Sequence, residues 1–144
     1  ERIMKYFMNK WYKFINEQKD STKVAKAVLF NGNKILLLMS AGGRFKGQLD
    51  LPGGHLRYDE DPIRGLQREV QEETGLLLSD YRELHQDGDV TFFWRPINKE
   101  EITLSKEHSA YYVLSIEEIG EKGYKMSDVF MNGIKRAYEE MSEL

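Results

Sequence analysis

The segment from Leu51 to Leu76 constrains this chain more than any other, because it specifies a bend, a helix start and a helix stop within 26 residues. Leu51-Pro52-Gly53-Gly54 demands a tight backbone turn. Asp61 before Pro62 has the chemistry of an N-cap and a first helical residue, and Gly75 that of a C-terminal stop. The spacing therefore predicts a helix over about 62–73. At about 100° per residue, Ile63, Leu66 and Val70 fall within roughly 60° of one another and supply a face to bury. Glu69, Glu72 and Glu73 take an adjoining face at i, i+3 and i+4. Three carboxylates one turn apart repel each other, and near a helix C-terminus they also oppose the macrodipole. A bound dication removes both penalties, since magnesium prefers hard oxygen ligands and keeps waters for exchange with substrate phosphates. The alternative is an acidic stripe facing solvent.

The surroundings favour the dication. The glycine bend directly before the helix lets a backbone carbonyl join the carboxylates with no Cβ intervening. Arg68, four residues before Glu72, is placed to orient a carboxylate and to keep the cluster ionised. Charge is also unevenly spread: residues 1–26 carry seven basic and three acidic side chains, residues 55–90 four basic and ten acidic. An acidic middle repels phosphates unless cations lie between protein and anion.

Elsewhere the pattern is that of a mixed sheet covered by helices. Val24–Phe30 and Ile35–Met39 read as a hairpin around Asn31-Gly32-Asn33. Ser40–Gly54 is a glycine-rich loop. Leu76–Leu78, Tyr81–Leu84, Val90–Arg95 and Tyr111–Leu114 read as extended, with Asp87-Gly88 as a turn and Pro96 unsuited to a ladder interior. Ser115–Ile119 opens with a helical turn, and a final helix starts near Ser127 with Phe130, Ile134, Ala137, Tyr138 and Met141 on one side. Residues 3–18 form an amphipathic helix whose Met4, Phe7, Trp11 and Phe14 recur as core packing requires. Its lysines and aromatics also fit a nucleic-acid or membrane contact, which core packing outweighs. No linker or repeat divides the chain, so residues 1–144 read as a single domain.

Composition closes several routes. The absence of cysteine excludes disulfides, thiolate zinc sites and cysteine nucleophiles, and it fits a cytoplasmic location. No apolar run approaches the roughly 20 residues of a membrane span, and Lys5, Lys10 and Lys13 interrupt any leader-like stretch. His55, His85 and His108 lack a zinc-like spacing, although His108 stands where it can orient a neighbouring base. Neither a Gly-x-Ser-x-Gly elbow nor a Walker A loop occurs. Phe92, Phe93 and Trp94 favour core packing, with base stacking as the alternative for one of them.

The stretch Gly54 to Leu76 resembles the signature box of the Nudix hydrolases: glycine, five residues, glutamate, seven residues, Arg-Glu, an aliphatic residue, any residue, Glu-Glu, any residue, glycine and an aliphatic residue. Here it reads Gly54, Glu60, Arg68-Glu69-Val70-Gln71-Glu72-Glu73-Thr74-Gly75-Leu76, with no fixed position missing. Leu51-Pro52-Gly53 resembles the same family's approach to the box. Gly65 stands where many members have alanine and, inside a helix, costs about 1 kcal/mol.

The resemblance implies an α/β fold, a Nudix-like α/β/α sandwich with a mixed sheet. It also implies magnesium-dependent attack of water on a diphosphate, with manganese as the alternative ion. Glu69, Glu72 and Glu73 correspond to the metal ligands, joined by the Gly53 carbonyl, while Arg68 and Glu60 correspond to orienting residues. A further glutamate from a later loop binds metal or acts as base in many members, and Ser105-Lys106-Glu107-His108 makes Glu107 its counterpart. Diphosphate hydrolysis needs a carboxylate within reach of the attacking water, a role open to Glu107 or Glu72. Arg44, Lys46 and Arg57 flank the glycine-rich loop and are candidates for substrate phosphates, or else solvated side chains.

The expected substrate is a nucleoside diphosphate linked to another moiety. An RNA 5′-end pyrophosphohydrolase and a noncatalytic nucleotide-binding module on the same fold are the alternatives. No membrane partner is expected, and among oligomeric states a homodimer stays open.

Overall fold

The computed structural model describes residues 2–18, 20–98 and 102–144, with the side chains of residues 9 and 12–18 outside the described set. Among these residues, four helices and seven strands follow in the order α1 (Arg2–Gln18), β1 (Asp20–Asn31), β2 (Lys34–Ser40), β3 (Leu49–Asp50), β4 (Gly53–Arg57), α2 (Pro62–Thr74), β5 (Arg82–Asp87), β6 (Val90–Pro96), β7 (His108–Leu114), α3 (Ile116–Glu121) and α4 (Asp128–Ser142). A 3₁₀ turn, Gly43–Phe45, interrupts the glycine-rich loop.

The strands form one mixed sheet in the order β3-β2-β1-β6-β5, with β4 also on β1 and β7 on β2. β1 is its spine. One edge of β1 runs parallel to β6 from Val24 opposite Val90 to Phe30 opposite Pro96. Its other edge pairs antiparallel first with β4, Lys26 opposite Gly53, and then with β2, Phe30 opposite Ile35. Pro96, which has no N–H to give, ends its strand.

The period of two sorts the side chains between two cores. Ala25, Ala27 and Leu29 of β1 and Phe93 of β6 pack with Leu66 and Val70 of α2. Val28, Phe30, Phe92 and Trp94 face the other way, onto Ile134 and Ala137 of α4. Helices thus cover both faces, as the α/β/α expectation requires. Each fully buried leucine or valine contributes about 1.5–3 kcal/mol, enough for the two helices to be held by their apolar stripes.

Three expectations change. Ser40–Gly54, read as a loop, contains β3 and the start of β4, whose backbones pair with β2 and β1. Leu76–Leu78 is not a strand. Leu76 and Leu78 are buried and Leu77 is exposed, so the alternation is present, but no ladder partner accompanies it among the described residues. α1 spans Arg2–Gln18, and its described side chains do not bury the expected stripe. Met4 is 67% and Phe7 61% exposed, Ile3, Tyr6, Met8 and Trp11 are also exposed, and the side chain of Phe14 lies outside the described residues.

Candidate active site

The bend before α2 is built for close approach. Gly53 has φ +126°, and a Cβ there would lie 2.1 Å from the Ala25 carbonyl oxygen, so no other residue fits. Its N–H donates to Glu73 Oε1 at 2.7 Å, tying the end of α2 to β4. Asp61 caps the start of α2 by accepting from the Ile63 N–H, and Gly75 ends it in the left-handed conformation. Glu73 is thereby held inside the protein rather than on its surface.

Arg68 locks the helix from its other side. Its Nε donates to Glu60 Oε2 at 3.1 Å and its Nη2 to Glu60 Oε1 at 2.9 Å, a two-point fork. Glu60 Oε1 also accepts from the Arg57 N–H, which fastens the loop before the helix. The same guanidinium reaches Glu69 at 2.9 Å, whereas Glu72 lies 3.7 Å away with its side chain 56% exposed. Hydrogen bonds from Arg68 hold the Glu60 carboxyl below its usual range despite partial burial. Burial outweighs Arg68 at Glu69 and raises that carboxyl.

Three residues outside the box complete the centre. His108 Nε2 lies 3.4 Å from Asp50 Oδ2 and 3.5 Å from Glu73 Oε2. Lys26 Nζ donates to Asp50 Oδ1 at 2.9 Å and to the Leu51 and Gly53 carbonyls, each at 3.0 Å. Burial acts to lower the imidazole of His108, but the hydrogen bond to Asp50 and the charges of Glu73 and Asp50 raise it overall. Asp50 moves the other way: burial raises it, and His108 with Lys26 pull it below its ordinary value. Glu73 is pushed up to about 7 by burial, against the opposing effects of Lys26, the Gly53 N–H and His108.

This donor set suits a divalent ion. The ligand atoms of Asp50, Glu73 and His108 lie within 4.8 Å of one another. They combine hard carboxylate oxygens with an imidazole nitrogen. Burial without full compensation also leaves Glu69 and Glu73 short of positive charge.

A cavity of about 790 Å³ opens onto the centre, and Glu69, Glu73, Glu107, Lys26, Asp50 and His108 are among its lining residues. Glu107 is exposed there, with its backbone carbonyl accepting from the Ala41 N–H. Of the expected metal ligands, Gly53, Glu69, Glu73 and Glu107 converge on the cavity, and Glu72 is outside its lining. Arg68 and Glu60 are outside its lining and are paired with each other. Arg44 stacks its guanidinium over Phe45, itself a lining residue, while Arg44, Lys46 and Arg57 do not line the cavity. The basic side chains that do are Lys26 and Lys106.

Lys26 and Asp50 escaped the sequence reading. A signal existed for each: a lysine inside the apolar run Val24–Phe30, and an aspartate between Leu49 and Leu51. Gly65, read as a helix cost, has a packing reason, since a Cβ there would lie 2.4 Å from Leu56 Cδ2 and 2.8 Å from Glu60 Oε1.

Comparison with known proteins bears on the same features. The NUDIX domain profile matches residues 20–129. Among curated proteins none matches the sequence. The NUDIX domain of Shewanella oneidensis NrtR, solved with ADP ribose, is similar in structure, with TM-score 0.70, 17% identity, and 85% of this chain and 90% of that one covered. A MutT NUDIX hydrolase from Burkholderia pseudomallei has TM-score 0.67 and 19% identity, with 78% and 95% covered. The C. elegans Ap4A hydrolase has TM-score 0.67 and 18% identity, with 86% and 100% covered. With an uninterrupted box, an α/β/α sandwich that sets Glu69 and Glu73 against the Gly53 bend, and a profile match over most of its length, the chain belongs to the NUDIX domain family.

Proposed function

We propose that this protein is a metal-dependent pyrophosphohydrolase that cleaves, by attack of water at phosphorus, the diphosphate of a nucleoside diphosphate joined to a second moiety. The observation that carries the reading is the convergence of Glu69, Glu73, Asp50, His108 and Glu107 on one cavity. One of the structurally similar proteins was solved with ADP ribose, and another is named an Ap4A hydrolase. A volume of about 790 Å³ accommodates such a molecule.

Magnesium is the ion best suited to the carboxylates, with manganese able to replace it at a site that also offers His108. When bound, the metal lowers the pKa of a coordinated water and offsets charge on the phosphoryl oxygens. Everything else is done by the chain. Glu69 and Glu73 present their oxygens from consecutive turns of one helix. Arg68 and Glu60 keep that helix at a constant distance from β4, and the Gly53 N–H fixes the rotamer of Glu73. Glu107, exposed at the cavity wall, receives the proton of the attacking water.

A magnesium assay over nucleoside diphosphate derivatives and 5′-triphosphorylated RNA, run in H₂¹⁸O with products resolved by mass, tests this. Expected is ¹⁸O in one product of a dinucleotide or nucleotide-sugar diphosphate. Release only from RNA ends would move the substrate class. Nucleotide binding with no cleavage anywhere would make the chain a binding module.

A further inference from the structure

Lys26 is an unusual tenant of the central strand. Its neighbours Ala25 and Ala27 are fully buried, and it is itself only 6% exposed. An ammonium removed from water is tolerated only when paired and hydrogen-bonded. Here Asp50, the Leu51 carbonyl and the Gly53 carbonyl take one N–H each, which uses all three donors. The Phe130 ring, 5.3 Å away, also faces the ammonium. The charge is therefore fixed in place, not sampled by a loose surface side chain.

Its position matters because the Gly53 carbonyl is the backbone oxygen that the box resemblance assigns to a metal ion. A dication bound to that oxygen would sit beside an immobilised positive charge, in surroundings that screen poorly. Lys26 also neutralises Asp50, one of the three donors that otherwise cluster with Glu73 and His108. We infer that Lys26 is a resident cation of this centre, taking the place of a metal ion at the Gly53 carbonyl and Asp50, so that exchangeable ions are confined to the Glu69, Glu73 and Glu107 side of the cavity. The inference rests on the proposed metal-dependent function, and it predicts that this chain loads fewer divalent ions than its donor set allows.

Manganese binding to the whole protein without nucleotide tests it, with free Mn²⁺ counted by electron paramagnetic resonance. Lys26→Met is expected to take up one more Mn²⁺ per chain than wild type, and Lys26→Arg to match wild type. Equal uptake by wild type and Lys26→Met overturns the inference. Should Lys26→Met fail to fold by circular dichroism, wild-type crystals soaked in Mn²⁺ decide. Anomalous density near Glu69 and Glu73, with none within about 2.4 Å of the Gly53 oxygen, is the expected result; an ion on that oxygen overturns it. Uptake by Lys26→Met alone, with none by wild type, would remove metal-dependent hydrolysis and leave the role of Lys26 standing. Uptake by neither protein would remove both.

Discussion

The carboxyl of Glu73 is raised from an ordinary value of 4.5 to about 7, chiefly by burial. A carboxyl that binds its proton more tightly in the folded state than in the unfolded one opposes folding wherever it must ionise. That penalty is absent below about pH 4.5, grows as the pH rises and is complete above about pH 7, where it reaches about 3 kcal/mol. In EDTA, Glu73→Gln should therefore be more stable than wild type at pH 8, with the difference gone near pH 4.5, as urea denaturation at the two pH values would show. The same variant should lose Mg²⁺ affinity by at least about tenfold and most of its turnover. Wild-type turnover at limiting Mg²⁺ would remove Glu73 from the site. For Glu107→Gln the expected change is a fall in kcat of about 100-fold or more with little change in KM. An unchanged pH-rate profile in that variant would place the base elsewhere.

Residues of the box were legible because their types recur at fixed intervals on one helix. Asp50 and Lys26 showed only as polar residues among apolar ones, since they meet Glu73 and His108 only after β1, β3, α2 and the start of β7 have been assembled.

At the scale of elements, α2 and β4 form a joint whose spacing Gly65 controls. Helix propensity alone says that Gly65→Ala stabilises by about 1 kcal/mol. The structure says the reverse, because the added methyl meets Leu56 and the Glu60 oxygen that the Arg68 fork engages. Gly65→Ala should lose about 1–2 kcal/mol in urea denaturation, and Leu56→Val in the same chain should recover part of it. A net gain would show that the joint has slack. The limits of α2 were readable to within a residue from Asp61-Pro62 and Gly75, which act through local chemistry. Leu76–Leu78 was misread for the opposite reason. Alternation records which side chains go inward, while strand formation also needs a neighbour, and that is a property of the assembled sheet.

For the molecule as a whole, the sandwich was readable because its two apolar faces alternate along β1 and β6 and meet two helices with apolar stripes. The place of α1 was not, since amphipathic periodicity says that a face is apolar and not what covers it. Deleting residues 1–11 should shift folding stability by no more than about 0.5 kcal/mol, because the described apolar side chains of α1 are exposed. A loss of several kcal/mol would mean that they pack on the domain in solution. The same feature bears on how the protein behaves among its own kind. A rod of 17 residues with Ile3, Met4, Phe7 and Met8 open to water concentrates adhesive surface on one element. Retention on a phenyl column, and a concentration-dependent rise in light scattering at high salt where its lysines are screened, should both fall with the deletion.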